Sequence, residues 1–311
     1  MRIVDRLTRV TDAPCFSFEL FPPKTEEGVA ELFAALAELS PLAPAYVSVT
    51  YGAGGGGRDR TLGLVRRIQA ETGLPVMAHL ACLGHSEDEI AAILDELAEA
   101  GVENLLALRG DPPRGAPPPE GFHYASELVR FARRRGYDFC IGAAAYPEGH
   151  IECADRNRDM AHLVAKVEQG VDFLVTQLFF DNAFYFDFVR RARERRLRVP
   201  VLPGLMPITN AAQIDRFTRL CGATVPMRLV LELERRAGDL AAVEALGVAH
   251  AAEQAFDLIA RGAPGIHFFT LNRSRAVRRI LEALRERYPI APVDLSAAAR
   301  RGQLTQGGQN G

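Results

Sequence analysis

Residues 15–23 read CFSFELFPP. Phe16, Phe18, Leu20 and Phe21 make the stretch read as a buried strand, yet Glu19 sits inside it. An ionised carboxylate in apolar surroundings is costly, and the usual resolution is a shifted pKa or a partner. Pro22 and Pro23 then stop the strand, because proline lacks the N–H of a ladder and restricts the residue before it. Glu19 is therefore expected near the C-terminal end of a strand, where a loop begins.

Seven further apolar runs follow: AYVSVT (45–50), PVMAHL (75–80), NLLALR (104–109), FCIGAAA (139–145), FLVTQLF (173–179), PVLPGLM (200–206) and GIHFFTL (265–271). Amphipathic segments such as EEGVAELFAALAEL and SEDEIAAILDELAEAG separate them, some opened by a cap (Ser86 with Glu89) or closed by glycine (Gly73, Gly101, Gly170). Near-continuous apolar strands alternating with helices imply a parallel sheet covered on its outer face. Eight such units predict a closed (β/α)8 TIM barrel, with extra helices between strands 7 and 8. The expected organisation is one catalytic domain over residues 1–290 and a loose, small-residue tail over 291–311.

Composition narrows the function classes. A formal charge of −2 and a pI near 6.4 give no electrostatic case for a nucleic-acid or membrane partner. The first ten residues lack the apolar core of a signal peptide, and no run approaches a membrane span. Five scattered cysteines without a C-x-x-C suggest a cytoplasmic thiol pattern and no zinc site. No metal is expected.

Active sites of such barrels sit at the C-terminal strand ends. Read in order, those ends carry Glu19, Thr50 and Tyr51, His79, Arg109 with Gly110 and Asp111, Tyr146, Gln177, and Asn272 with Arg273. A polar ring at one mouth is the expectation.

That ring, with FSFELFPPK, VSVTYGA, LALRGDPP, YASELV, AAYPEGH, TQLFFD, PGLMPITN and HFFTLNR in this order, resembles the methylenetetrahydrofolate reductase family. The likeness runs from about residue 15 to 275. It implies a barrel that binds FAD and uses NADH or NADPH to reduce 5,10-methylenetetrahydrofolate to 5-methyltetrahydrofolate by a ping-pong route, feeding methionine biosynthesis. It also implies a cytoplasmic homo-oligomer. The sequence stops soon after the eighth strand, which implies the catalytic barrel without the regulatory domain of eukaryotic relatives.

The resemblance assigns residues. Glu19 matches the family's proton donor, and burial among phenylalanines is expected to raise its pKa toward neutrality. Asp111 matches a catalytic aspartate near the flavin. Thr50, Tyr51, Ala53, His79, Arg109, Gly110, Tyr124, Ala125, Tyr146, His150, Asp159 and Lys166 match FAD contacts. Gln177, Gln213, Phe217 and Arg273 match substrate contacts. Lys166 has a separate argument: Lys24 and Lys166 are the only lysines in an arginine-dominated chain, and a compact ammonium suits a pyrophosphate. His162 and Ala165 depart from the family pattern, which often has Asn and Arg there.

Each assignment has a plainer counterpart. Glu19 could be a structural partner of an arginine, Arg109 could pair with Asp111, and Phe217 could be core. The run RFARRRG reads as a solvated helix face. GAGGGG (52–57) fits G-x-G-x-x-G, but the next strand, PVMAHL, lacks the acidic residue of a dinucleotide fold. Other FAD-dependent barrels, such as a proline dehydrogenase-like enzyme, and a non-catalytic barrel remain the alternatives.

Overall fold

The computed structural model describes residues 1–8, 14–51, 58–111 and 121–286, without the side chains of residues 58, 59, 213, 215 and 217. Ala53, the GAGGGG stretch and the expected 291–311 tail lie outside the described residues.

The apolar runs form parallel strands: β1 (Cys15–Leu20), β2 (Tyr46–Val49), β3 (Val76–Ala81), β4 (Asn104–Leu108), β5 (Cys140–Ala145), β6 (Phe173–Thr176), β7 (Val201–Leu202), β8 (Gly204–Leu205) and β9 (Gly265–Phe269). Their order is β7-β6-β5-β4-β3-β2-β1-β9-β8. The expected seventh strand is thus split in two, and Pro203 is the reason. Having no N–H, proline interrupts the ladder. The half before it pairs with β6 and the half after it with β9. The Pro203 carbonyl still accepts from His267 N at 2.9 Å. The two halves are one strand in sequence, so the break is the seam that brings the sheet round on itself, as in a (β/α)8 barrel. Gly204 is required at that seam, since a Cβ there would lie 2.3 Å from the Thr176 carbonyl oxygen.

Helices α2 (Glu26–Leu39), α3 (Arg58–Thr72), α4 (Glu87–Glu99), α5 (Ala125–Arg134), α6 (Arg156–Glu168) and α7 (Asn182–Glu194) each follow a strand. The capping box at Ser86 and Glu89 forms as expected, with both bonds made. Between β8 and β9 come α8 (Ala211–Cys221), α9 (Met227–Glu234) and α10 (Leu240–Ala260), and α11 (Arg275–Arg285) follows β9. Among the described residues no helix is long and apolar enough to cross a membrane.

Period-two alternation sorts the strand side chains. Phe16, Phe18 and Leu20 point outward into the main core beneath the helices, together with residues such as Leu32, Leu36 and Leu281. Tyr46, Met77, Leu106, Cys140, Phe173 and Leu202 fill the barrel's interior. Helix α1 (Ile3–Thr8), which no sequence pattern announced, closes that interior with Ile3 and Leu7. It is tied there by Ile3 N donating to Asn104 Oδ1 at 2.8 Å.

RFARRRG is not simply a solvated face. Arg133 donates to the carbonyls of Phe139 and Gly170 and to Asp172 Oδ2, which in turn accepts from Ile141 N. It therefore joins α5 to the starts of β5 and β6.

Candidate active site

Because alternate residues of β1 face opposite ways, Glu19 does not share its surroundings with its phenylalanine neighbours. It faces the barrel interior, only 7% exposed. Its Oε2 lies 3.7 Å from His79 Nε2 and 3.7 Å from His267 Nε2, close enough for electrostatic contact and too long for a hydrogen bond. The plainer reading, a pairing with arginine, is replaced by two imidazoles. Burial lowers the His79 pKa to about 4, against the opposing pull of Glu19, so its ring is neutral near pH 7.

His267 is the site residue that the sequence reading missed. It lies within GIHFFTL, between Ile266 and Phe268, and the same period-two rule that turns Glu19 inward turns it inward too. Its Nδ1 is 2.8 Å from Ser17 Oγ, and Tyr46 stacks on its ring at 5.9 Å between centroids. His79 Nε2, His267 Nε2 and Ser48 Oγ are buried without a hydrogen-bond partner. Buried polar groups left so are uncommon and costly.

The backbone around Glu19 is held from β9. Thr270 Oγ1 donates to the Glu19 carbonyl at 2.6 Å, and Asn272 exchanges two 2.8 Å bonds with the backbone of Phe21. Leu271 and Asn272 take positive φ values of 52° and 58° to make this turn. Such strain persists only where surroundings impose it. Arg273 follows, exposed, on the same rim.

A second region opens beside the first. A cavity of about 580 Å³ lies between the ends of β4 and β5 and helices α5 and α6. Its wall collects seven of the residues expected to contact FAD: Arg109, Tyr124, Ala125, Tyr146, His150, Asp159 and Lys166. His162 and Ala165, the two departures, line it as well. Thr50, Tyr51, Gly110 and Asp111 lie just past strand ends outside that wall, and His79 faces the barrel interior from within β3.

Lys166 Nζ donates to the Ala144 carbonyl at 2.7 Å, and burial pulls its pKa down to about 8, with Asp159 acting the other way. Arg109 does not pair with Asp111. Its guanidinium grips Glu152 through both arms, at 2.5 and 2.9 Å. Gly110 turns the chain at φ +87°, and Asp111 follows it, exposed. Tyr51 Oη meets His85 Nε2 at 3.1 Å. Thr50 closes β2 by donating to the Leu20 carbonyl. Across the mouth, Gln177 Oε1 accepts from Leu178 N at 2.9 Å. Gln213 and Phe217 belong to α8, and their side chains lie outside what is described.

The cavity's volume falls within the range of small-molecule and cofactor sites. Its donor set of Lys166, Arg158, His150 and His162 suits a polyanion, and the exposed ring of Tyr124 at its rim suits a planar base. FAD has both features, so the residues present fit it. Among the described residues no His, Cys, Asp and Glu grouping could hold a metal ion.

Comparison with known proteins places these features. The methylenetetrahydrofolate reductase family profile matches residues 3–285. The chain is 37% identical over 302 residues to methylenetetrahydrofolate reductase 2 of Schizosaccharomyces pombe, covering 91% of this chain and 47% of that one. It is 35% identical over 268 residues to the 5,10-methylenetetrahydrofolate reductase of Escherichia coli, covering 86% and 90%. The chain thus spans about half the length of the yeast and plant relatives it matches, and nearly all of the bacterial one. A Clostridium thermocellum protein that binds two copies of 5-methyl-5,6,7,8-tetrahydrofolic acid shares the fold, with a TM-score of 0.59 at 15% identity over 88% of this chain and 95% of that one.

Proposed function

The chain belongs to the methylenetetrahydrofolate reductase family, and from that premise we propose that it reduces 5,10-methylenetetrahydrofolate to 5-methyltetrahydrofolate with FAD and NADH or NADPH. The observation that carries this reading is Glu19: a buried carboxyl at a strand end, facing two imidazoles whose Nε2 atoms have no partner. FAD, when bound, supplies hydride relay from the nicotinamide to the folate, which divides the reaction into two ping-pong half-reactions.

The chain's own residues do the rest. Opening the bridged folate requires a proton at its N10, and Glu19 is the donor. His267, fixed by its 2.8 Å contact from Nδ1 to Ser17 Oγ, turns Nε2 toward the Glu19 carboxyl and so orients it. His79, neutral near pH 7, adds no competing charge. Lys166, His150 and Tyr124 would hold the phosphate and adenine parts of FAD. Asp111 would keep a negative charge near the flavin ring. Gln177 would offer an amide to the pterin edge, joined by Gln213, Phe217 and Arg273. The folate-binding neighbour of the same fold supports the substrate class. We place the enzyme in the cytoplasm as a homo-oligomer, supplying methyl groups for methionine synthesis.

The test uses FAD-loaded protein reduced anaerobically by NADH or NADPH. Mixing with 5,10-methylenetetrahydrofolate should restore the oxidised flavin spectrum. Reduction by the nicotinamide without reoxidation by the folate overturns the proposal.

A further inference from the structure

The segment between β5 and α6, residues 146–155 (YPEGHIECAD), meets two parts of the molecule that share no hydrophobic cluster. On one side Tyr146, His150 and Glu152 line the cavity. The segment is short and bonded there: Gly149 N donates to the Tyr146 carbonyl and Cys153 N to the His150 carbonyl, while His150 N donates to Asp159 Oδ2 of α6. On the other side Glu148, one residue before Gly149, reaches the insertion that holds α8 and α9. Both of its carboxylate oxygens accept from Thr224 N, each at 3.1 Å.

Thr224 stands in the turn that ends α8. Gly222 caps that helix in the left-handed region at φ +71°, with its N–H closing on the Thr218 carbonyl at 2.7 Å. Glu148, 76 residues away in sequence, satisfies the Thr224 N–H two residues further on. Ile151, on the same segment, covers Gly222, where an added Cβ would meet its side chain at 3.9 Å. The insertion needs such an anchor. Ile214, Leu229 and Leu233 pack with Leu178, Phe180 and Met206 in a cluster separate from the main core. That cluster seats α8 and α9 on the ends of β6 and β8, and the tie from Glu148 holds the far end of α8 to the cavity side of the barrel as well.

We propose that Glu148 is a positioning residue that couples the cofactor cavity to α8. A cofactor held by Tyr146 and His150 fixes the 146–155 segment. The Glu148–Thr224 bond then fixes the α8–α9 turn against it. Because α8 carries Gln213 and Phe217, the bond sets how far the substrate-side helix stands from the cofactor. That last step rests on the folate reading above, whereas the coupling itself does not. The coupling is reciprocal: a held α8 strengthens cofactor binding by the same factor that the cofactor strengthens α8.

Amide hydrogen exchange on the full chain, with and without FAD, tests the coupling directly. In the wild-type protein, FAD should slow exchange over residues 211–226 as well as over 146–155. In Glu148→Ala, FAD should still protect 146–155, while its protection of 211–226 falls about tenfold, the scale of one charge-assisted hydrogen bond. Glu148→Gln keeps an acceptor oxygen and should retain most of the protection, which separates a lost bond from a disturbed fold. Unchanged FAD-dependent protection of 211–226 in Glu148→Ala, or none in the wild type, overturns the coupling. Steady-state kinetics tests the second step: the KM for the folate should rise several-fold in Glu148→Ala at nearly constant kcat. An unchanged KM beside lost protection overturns that step alone. A wild-type enzyme that never reoxidises with folate would instead defeat the functional reading and leave the exchange result standing.

Discussion

The two halves of the candidate site handle polarity in opposite ways. Around Glu19 the polar atoms are sealed inside the barrel and, apart from the contact of Ser17 Oγ with His267 Nδ1, stop short of one another, leaving His79 Nε2, His267 Nε2 and Ser48 Oγ without partners. In the neighbouring cavity the charges are engaged: Arg109 grips Glu152, Lys166 bonds the Ala144 carbonyl, and the Asp159 carboxylate accepts from the backbone N–H of His150. In a dry layer of weakly engaged groups a small displacement changes which atom holds a proton. A cavity whose basic side chains, Lys166, Arg158, His150 and His162, line one wall instead offers fixed donors to an anion. The first arrangement suits proton transfer, and the second suits a cofactor's phosphates.

Glu19→Gln should break the comparison most visibly. Gln keeps the shape and an acceptor but delivers no proton. Reoxidation of the reduced flavin by 5,10-methylenetetrahydrofolate should slow by at least ~10²-fold, the usual scale for a lost general acid. Reduction by NADH or NADPH, which needs no such acid, should stay near the wild-type rate. Stopped-flow traces of the two half-reactions decide the matter. Equal slowing of both would make Glu19 an organiser of the site and not its proton donor.

Lys166→Met probes the other half. Met fills the space without charge, so FAD should bind roughly 30-fold more weakly, the loss expected for a charge-assisted contact to phosphate. The pH dependence carries a sign. Burial lowers Lys166 to about 8 in the free protein, so the ammonium that attracts phosphate is present below that pH and is lost above it. FAD affinity should therefore fall as pH rises past about 8, by up to ~tenfold per unit. In Lys166→Met that fall should disappear. Isothermal titration of the apoprotein from pH 7 to 9.5 measures it, and a fall that persists in the variant assigns it to another group.

The contrast between the halves also explains what the sequence could reveal. The strands were legible because each is an apolar run closed by a breaker, and the Ser86–Glu89 cap because its two residues stand three apart. Glu19 was legible as a misfit, although its surroundings were not. The phenylalanines beside it in sequence face the helices, and only the closed barrel brings His79 and His267 to it from β3 and β9. Pro203 stands in plain view in PVLPGLM, but which neighbour each half of that strand pairs with is stated by no local pattern. The cavity was readable only through family resemblance. Its contacts join residues such as Arg109 and Glu152, 43 positions apart on loops that have no period. Arg133 misled for a related reason: in RFARRRG it looks like its neighbours, and only tertiary structure brings the carbonyls of Phe139 and Gly170 to it.

The smallest expected effect is on folding, and it tests whether the Glu19 layer is as dry as its geometry indicates. Burial lowers His79 from its ordinary 6.5 to about 4, so between these values the unfolded chain takes up a proton that the folded site refuses. The unfolded state then binds more protons, and stability must fall as pH drops through that window. At pH 5.5, one unit below the ordinary value, the cost is about 1.4 kcal/mol, or ~tenfold in the folding equilibrium. His79→Gln removes the titrating ring but keeps a polar side chain. It should lower stability somewhat at pH 7 through lost packing, yet flatten the decline between pH 6.5 and 4.5. Urea midpoints of the apoprotein at half-unit intervals supply the curve. If the variant declines as steeply as the wild type, His79 is not the group that refuses the proton, and water reaches the layer that the structure closes.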